Sequence, residues 1–490
     1  MQKISKFSTL FIFLMFFAGI LFIHGANSQR AFKSAIYQPA QENLEYAFIS
    51  GLESSVINYE NASVISDGFA DIWGWNNDTS DYPDIVVDSD NNLHVVWQDS
   101  TKGSWGGGDG DKEIMYANYS ASGWSNATVI SDDETGWNTL SSYDPVIAVD
   151  ASNNLHVVWE ETTNGDWGSD TEIMYVNYTA SGWSDATVIS DDETAWNTGE
   201  SIDPDIGVDS NNDLHVVWVD ETEGPWGGVY PDWEIMYANY TSSGWSNATV
   251  ISDGFADIWG WNNDTSVHPD IVVDSDNNLH VVWEDDTEGP WGGGSSDSEI
   301  MYAYYTNSSW SNATVISDKW GDGEEWNTGN SRDPTITIDT SDNIHVVWED
   351  YTEGPWGGGS SDYEIMYAYY TNSSWSNATV ISDKWGDGEE WNTGNSFRPA
   401  FAVDASDNLH VVWGDYTPGV WGSGGLDMEI MYTKITQSSE ADGISPIGGT
   451  DDDDDDDDKD EPIIPFGHYY LMFMGIGIIS LLVYKKHKKM

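Results

Sequence analysis

Short apolar runs of four to eight residues, rich in Val, Ile, Tyr and Trp and bounded by Gly, Asn, Asp or Ser, fill the chain between residues 60 and 436. That length, composition and punctuation mark β-strands, and no stretch of this region sustains the 3.6-residue apolar period of a helix. The runs come in a fixed order. A Pro-led run such as PDIVVD (residues 83–88) is followed by a turn such as SDNN, the string LHVVW, a long Gly/Trp loop, EIMYANY, a turn containing GWS or SSWS, and ATVIS. LHVVW stands at residues 93–97, 155–159, 214–218, 279–283 and 409–413, with IHVVW at 344–348, so successive histidines are 62, 59, 65, 65 and 65 residues apart. Four strands per unit, repeated six times, predict an all-β, six-bladed β-propeller of four-stranded blades. A lone fourth-strand sequence, NASVISD at residues 61–67, precedes the first unit, and the last unit ends after its third strand, EIMYTKI at 429–435. These complementary ends predict that the N-terminal strand closes the last blade, where an open stack would need capping units.

The flanks set the expected compartment. Lys3 and Lys6, an apolar run over residues 7–23 and small residues around Ala26 and Ser28 have the form of a secretory signal. A second apolar run, residues 466–484, is long enough to span a bilayer and is followed by KKHKKM, which favours a cytoplasmic C-terminus. The expected organisation is a signal peptide (1–28), a linker (29–55), the propeller (56–437), an acidic disordered stalk (438–463), a transmembrane helix (464–484) and a basic cytoplasmic tail (485–490). Eight aspartates at 451–458 repel one another and keep the stalk extended. The expected location is the cell surface, with a monomeric, single-pass ectodomain outside the membrane.

Charge narrows the partners. With 84 acidic and 16 basic side chains the formal charge is −68, which repels polyphosphate and excludes electrostatic nucleic-acid binding. Cations, neutral sugars and basic proteins stay eligible. There is no cysteine, so an exported chain of this kind must rely on its core rather than on disulfides. Twelve N-x-S/T sequons, among them Asn61, Asn126, Asn247, Asn312 and Asn377, fit a glycosylated surface, although a repeat containing SNATV copies its sequon with or without sugar.

The Pro-led first strand, the D-x-x-N turn into a Val/Trp second strand, and the third strand running into S-x-x-G-W-S, as in SASGWS at residues 120–125, resemble the sialidase-type propeller superfamily over most of residues 60–436. The last element is similar to an Asp-box without its aspartate. The resemblance implies the fold; sialidase chemistry would also need three arginines on a carboxylate sugar. The chain has only Arg30, beside the expected cleavage point, Arg332 and Arg398, so no arginine triad is available. The short Pro/Gly motif, apolar run and basic tail at the C-terminus resemble archaeal surface-protein sorting signals.

Candidate chemistry lies where the sixfold pattern breaks. The residue before the first-strand proline is Asp144, Asp203 or Asp333 in three units and Tyr82, His268 or Arg398 in the others. With Asp84, Asp205, Asp270, Arg332 and Trp233 these form the candidate ligand site, at the expected mouth of a central channel. The six LHVVW histidines occupy equivalent strand positions, too far apart in a ring to share one metal, and are expected to pack between blades through their polar tips. The Asp-rich turns, such as DSDNN at 88–92, lack the central Gly and closing Glu of an EF-hand. Ca²⁺ is therefore a possible cofactor without an assigned site, no other cofactor is expected, and no catalytic residue is assigned. Loop tryptophans such as Trp73, Trp75, Trp226, Trp291, Trp326 and Trp391 are expected on the face that carries the long connections. Aromatic faces beside carboxylates suit sugars and cations. The leading expectation is a surface-anchored binding or adhesion module for glycans, cation-bridged polymers or envelope proteins. Its alternatives are a glycan-active hydrolase or lyase and a structural envelope component.

Overall fold

The computed structural model describes residues 64–66, 79–100, 111–131, 140–162, 170–191, 199–221, 233–252, 265–286, 298–317, 329–351, 363–371, 373–382, 394–416 and 428–436. All their regular structure is β, and it forms six propeller blades. Two units divide the chain, Met1–Val250 and Ile251–Met490. The first carries blades 1 to 3, beginning at Ser80–Val87, Ser142–Val149 and Ser201–Val208; the second carries blades 4 to 6, beginning at Ser266–Val273, Ser331–Ile338 and Ser396–Val403.

In blade 1 the first strand pairs antiparallel with Leu93–Asp99, which pairs with Glu113–Ser120. The outer edge differs from the expected continuous ATVIS strand. Two short pieces, Gly123–Trp124 and Thr128–Val129, each pair with the third strand. Between them the N–H of Asn118 donates to Ser125 Oγ at 2.9 Å and the N–H of Ser125 donates to Asn118 O at 2.7 Å. A serine side chain has entered the ladder, and the edge strand kinks around it. Blades 2 to 5 repeat this order, while blade 6 shows three strands among the described residues.

LHVVW is apolar without alternation because it runs mid-sheet with both faces covered. In blade 3 all seven residues of Leu214–Asp220 are buried. Between blades 1 and 2, Val96, Ile114 and Tyr116 meet Leu155, Trp159 and Met174. The equivalent cluster in the second unit sets Val282 and Ile300 of blade 4 against Ile344, Trp348 and Met366 of blade 5. Tryptophans of the GWS and SSWS turns cap such seams edge-on, as Trp183 does to Tyr116 at 5.0 Å, Trp245 to Tyr175 at 5.1 Å and Trp375 to Tyr302 at 5.0 Å.

One polar clamp recurs in every blade. Trp348 Nε1–H donates to Asp350 Oδ2 at 3.1 Å, and Ser331 Oγ donates to the same oxygen at 3.0 Å. In blade 2 the acceptor is Glu161, reached by Trp159 at 3.1 Å and Ser142 at 2.8 Å. The LHVVW histidines are structural, but their polar atoms bond within their own blade rather than between blades. His345 Nδ1 meets the Tyr367 hydroxyl at 2.9 Å and Nε2 meets Asp339 Oδ2 at 3.3 Å. Asp339 also accepts the N–H groups of Ser341 and Asn343 at 2.8 and 2.9 Å, so this turn carboxylate is occupied by its own hairpin rather than presented to a cation.

The end blades differ from the rest. Ile85 of blade 1 is 55% exposed, where the equivalent Ile147 and Ile271 are 4% exposed, and Val87 is 53% exposed where Val149 and Val273 are half-buried. In blade 6 the third strand alternates, with Ile430 74% exposed. The expected closing strand is not seen among the described residues. Val64–Ser66 carry no strand pairing, and Ile65 packs on Val95, Trp97, Met115 and Ala117 of blade 1. The other residues of 61–67, the expected signal peptide, linker, stalk, membrane span and tail lie outside the described residues. Among the described residues no helix is long and apolar enough to cross a membrane.

The clamp yields a test. Asp350→Ala strips the shared acceptor from two buried donors and is expected to cost ~2–4 kcal/mol, while Asp350→Asn, which keeps an acceptor oxygen, should cost less. Denaturant unfolding followed by tryptophan fluorescence measures both; equal costs would remove the clamp from the account of stability.

Candidate functional site

Each first strand carries one extra residue. In blade 1 the pairing steps from Asp81↔Gln98 to Asp84↔Val96, so Tyr82 and Pro83 together stand opposite Trp97. The same bulge sits before Asp205, Asp270, Thr335 and Ala400, and in blade 2 before Val146. The residue before each proline has positive φ: Tyr82 52°, Asp144 45°, Asp203 50°, His268 53°, Asp333 46° and Arg398 50°. A side chain in this region costs roughly 1 kcal/mol or more, and glycine would avoid that cost. None of the six is glycine. A bulge re-aims the side chain it carries, so these six positions turn differing chemistry out of an otherwise repeated strand.

A neighbouring blade holds the bulge in place. The N–H of Asp144 donates to Gln98 Oε1 at 3.0 Å, that of Asp203 to Glu160 Oε1 at 2.8 Å, and that of Arg398 to Glu349 Oε1 at 2.5 Å. The acceptor is always the residue after the second-strand tryptophan. Sequence reasoning missed Gln98, Glu160, Glu284 and Glu349, although a signal was present. The residue after HVVW is Gln98, Glu160, Val219, Glu284, Glu349 or Gly414, as variable between blades as the residue before the proline.

In the first unit Asp144, Glu160 and Asp203 converge, with carboxylate oxygens within 4.8 Å of one another. Glu160 is only 8% exposed. Burial pushes its carboxyl up to about 8, reinforced by Asp144 and Asp203 and opposed by the Asp203 N–H. Asp144 is also raised, first by burial and then by Asp203, with Lys112 acting the other way. A proton on Glu160 relieves the repulsion in this trio. Gln98 in turn donates to Asp81 at 2.6 Å, and Lys112 lies 3.7 Å from Asp81.

The second unit holds a mixed cluster. His268 Nδ1 lies 3.1 Å from Glu284 Oε2 and 3.3 Å from Asp333 Oδ1. Arg332 Nε is 3.6 Å from Glu284 Oε1. Glu349, 4% exposed, stands opposite Arg332 in the strand register, next to Asp333. Burial first, then the nearby Asp333 and Glu284 carboxylates, pushes Glu349 up to about 7 against the pull of the Arg398 N–H. Glu349 therefore holds its own proton up to near-neutral pH. The outer members are open to solvent, with side-chain exposures of 47% for His268, 42% for Arg332 and 39% for Asp333. A raised carboxyl alone is no mark of a site. Glu172 is also lifted to about 8, chiefly by burial, yet it serves as the acceptor of Ser190 at 2.5 Å inside blade 2.

The sequence-derived candidates divide accordingly. Asp144 and Asp203 meet in the first unit, and His268, Arg332 and Asp333 in the second, where Arg398 joins through its backbone. Tyr82 lies exposed at the equivalent bulge of blade 1. Asp84 and Asp270 fasten blades instead: Asp84 Oδ2 accepts the Ile147 N–H at 2.9 Å, and Asp270 Oδ2 accepts the Ile336 N–H at 3.0 Å and the Thr335 hydroxyl at 2.7 Å. Asp205 holds the same register position in blade 3. Trp233, half-buried, lies just before the third strand Glu234–Thr241, at the end of blade 3 that carries the Asp203 bulge. The other loop tryptophans named above lie outside the described residues.

Comparison with known proteins gives likeness of architecture. No protein-family model and no curated protein matches the chain. Among solved structures it is similar to an α-L-arabinanase from Penicillium chrysogenum in complex with arabinobiose, at 13% identity and a TM-score of 0.43 over 72% of this chain and 93% of that one. It is similar to a leech intramolecular trans-sialidase at 10% identity and TM-score 0.41, over 78% of this chain and 70% of that one. A third similar structure is a PL25 ulvan lyase, at 11% identity and TM-score 0.45, over 74% and 82%. Likeness at this level concerns the fold alone and carries nothing about activity.

The buried carboxyls give a signed pH dependence. Glu160 is raised from an ordinary 4.5 to about 8, so between those values the folded chain holds a proton that the unfolded chain releases. Its stabilising contribution is whole below the unfolded value and is lost as pH rises through the folded one. Glu160→Gln is expected to flatten the fall in stability between about pH 5 and about pH 8.5 by on the order of 1–3 kcal/mol. Thermal unfolding of both chains across that range checks it; parallel profiles would show that Glu160 does not take up the proton.

Proposed function

We propose that the chain is a glycan-cleaving enzyme whose acid–base centre is the His268–Glu284–Asp333–Glu349 cluster of the second unit. One observation carries this: a buried carboxyl raised to about 7, Glu349, lies beside the solvent-reaching Asp333 side chain, which meets an imidazole held by a second buried carboxylate. Two titratable pairs with different environments are the arrangement that separates an acid from a base at one pH. In this assignment the proton held by Glu349 is the one delivered to a glycosidic oxygen on the solvent-reaching side marked by Asp333. Glu284 orients the imidazole, and an Nδ1–H donated to Glu284 leaves Nε2 as the ring's acceptor, suited to take a proton from water or from a sugar carbon.

Arg332 positions Glu284 and offers a donor to a sugar hydroxyl or carboxyl group. The binding-module reading rests on the loop tryptophans, which lie outside the described residues apart from Trp233, whereas the acid–base reading rests on groups whose geometry is known.

The test incubates the full chain with a panel of neutral and acidic polysaccharides. New reducing ends without an unsaturated product mean hydrolysis; new reducing ends with ultraviolet absorbance of an unsaturated sugar mean elimination. Either is expected to fall about 100-fold or more in Glu349→Gln and in His268→Ala. Because the Glu349 proton is needed, activity should decline as pH rises through about 7. Binding without cleavage across the panel would return the function to an adhesion module.

A further inference from the structure

Four sequons occupy one structural position. Asn126, Asn247, Asn312 and Asn377 each stand in the kink between the two short outer-edge pieces of blades 1, 3, 4 and 5, and each is exposed. The serine before them sets the kink. Ser311 Oγ accepts the Tyr304 N–H at 3.0 Å and donates to the carbonyl of Asn312 at 3.0 Å; Ser376 does the same between Tyr369, at 3.0 Å, and Asn377, at 3.1 Å. The side chain thus takes the ladder position that the asparagine backbone would fill, and the asparagine is pushed off the sheet edge.

Other sequons sit differently. Asn118, Asn177 and Asn239 lie within third strands, paired to His94, His156 and His215 on one side and held by a serine on the other, and all are half-buried. Asn307 is exposed at a tight turn with φ 52°, and its amide donates to Thr306 Oγ1 at 3.4 Å. Blade 2 supplies a natural comparison. It has the same serine geometry, Ser184 Oγ donating to the carbonyl of the next residue at 3.0 Å, but that residue is Asp185.

We propose that the outer-edge kinks are N-glycosylation sites, occupied at Asn126, Asn247, Asn312 and Asn377, while the third-strand sequons are left unmodified. The co-reactant is a lipid-phosphate-linked oligosaccharide. The side-chain amide nitrogen forms a bond to the sugar C1 as the C1–O bond to phosphate breaks, the nitrogen gives up one proton, and the lipid phosphate leaves with the bonding pair. A nitrogen at an exposed kink can reach such a donor after folding; one flanked by two paired strands cannot. The sugars would also cover the outermost edge of those four sheets, where unpaired backbone groups otherwise invite association with other strands.

The experiment expresses the full-length chain in a host that exports and N-glycosylates proteins, and maps glycopeptides by mass spectrometry. Glycan is expected on the four kink asparagines and absent from Asn118, Asn177 and Asn239. Asp185→Asn, which completes a sequon with Thr187, should add a fifth occupied site in blade 2. No glycan at the kinks, equal occupancy of the third-strand sites, or an unmodified position 185 in that variant would each overturn the assignment.

Discussion

Every feature of the candidate site depends on one backbone constraint, the residue with positive φ that precedes proline in each first strand. An antiparallel ladder has no place for this extra residue, so the chain bulges opposite the second-strand tryptophan and turns one side chain away from the strand's normal alternation. The cost is met by a neighbouring blade, whose Gln98, Glu160 or Glu349 accepts the N–H at the bulge. Because those acceptors are themselves acidic in two of these three seams, the device that secures the backbone also gathers buried carboxyls around the side chains it displays.

That gathering explains the electrostatics. Glu160 and Glu349 are both drawn out of water to reach a backbone N–H on the next blade, and both face bulge aspartates, Asp144 and Asp203 for Glu160 and Asp333 of its own blade for Glu349. Repulsion at such short range is relieved by a proton. In the first unit the trio is all carboxylate, while in the second an imidazole and a guanidinium enter at equivalent places and make the cluster chemically asymmetric. The same fold position therefore serves as a proton store in one unit and as a candidate acid–base centre in the other. The difference is His268 and Arg332 against Asp144 and Ile202, two substitutions within one repeat frame.

Much of the blade was legible before any coordinates. The strand order, the mid-sheet burial of LHVVW, the structural role of its histidine and the self-sufficient Asp turn follow from local patterns that recur six times, and repetition averages away the ambiguity of any single copy. The outer edge was misjudged in detail. ATVIS has strand composition, but the preceding serine competes for the ladder, and the pairing is confined to Thr128, Val129 and the Ile130 N–H on Ile114 O. Asp84 and Asp270 were taken for ligand groups because they follow the bulge in sequence; their oxygens instead bind the N–H of the next blade, a relation across 63 and 66 residues that no local pattern reveals.

Sequence alone determined the six-blade all-β architecture and most of the positions at which the repeat departs from itself, since both are properties of spacing and residue type. Tertiary structure decided which departures meet. Pairing Asp333 with His268 and Glu284, or Asp203 with Glu160, requires knowing that one blade's bulge lies against another blade's second strand, and it is that packing, with the loss of water it brings, that raises the buried carboxyls.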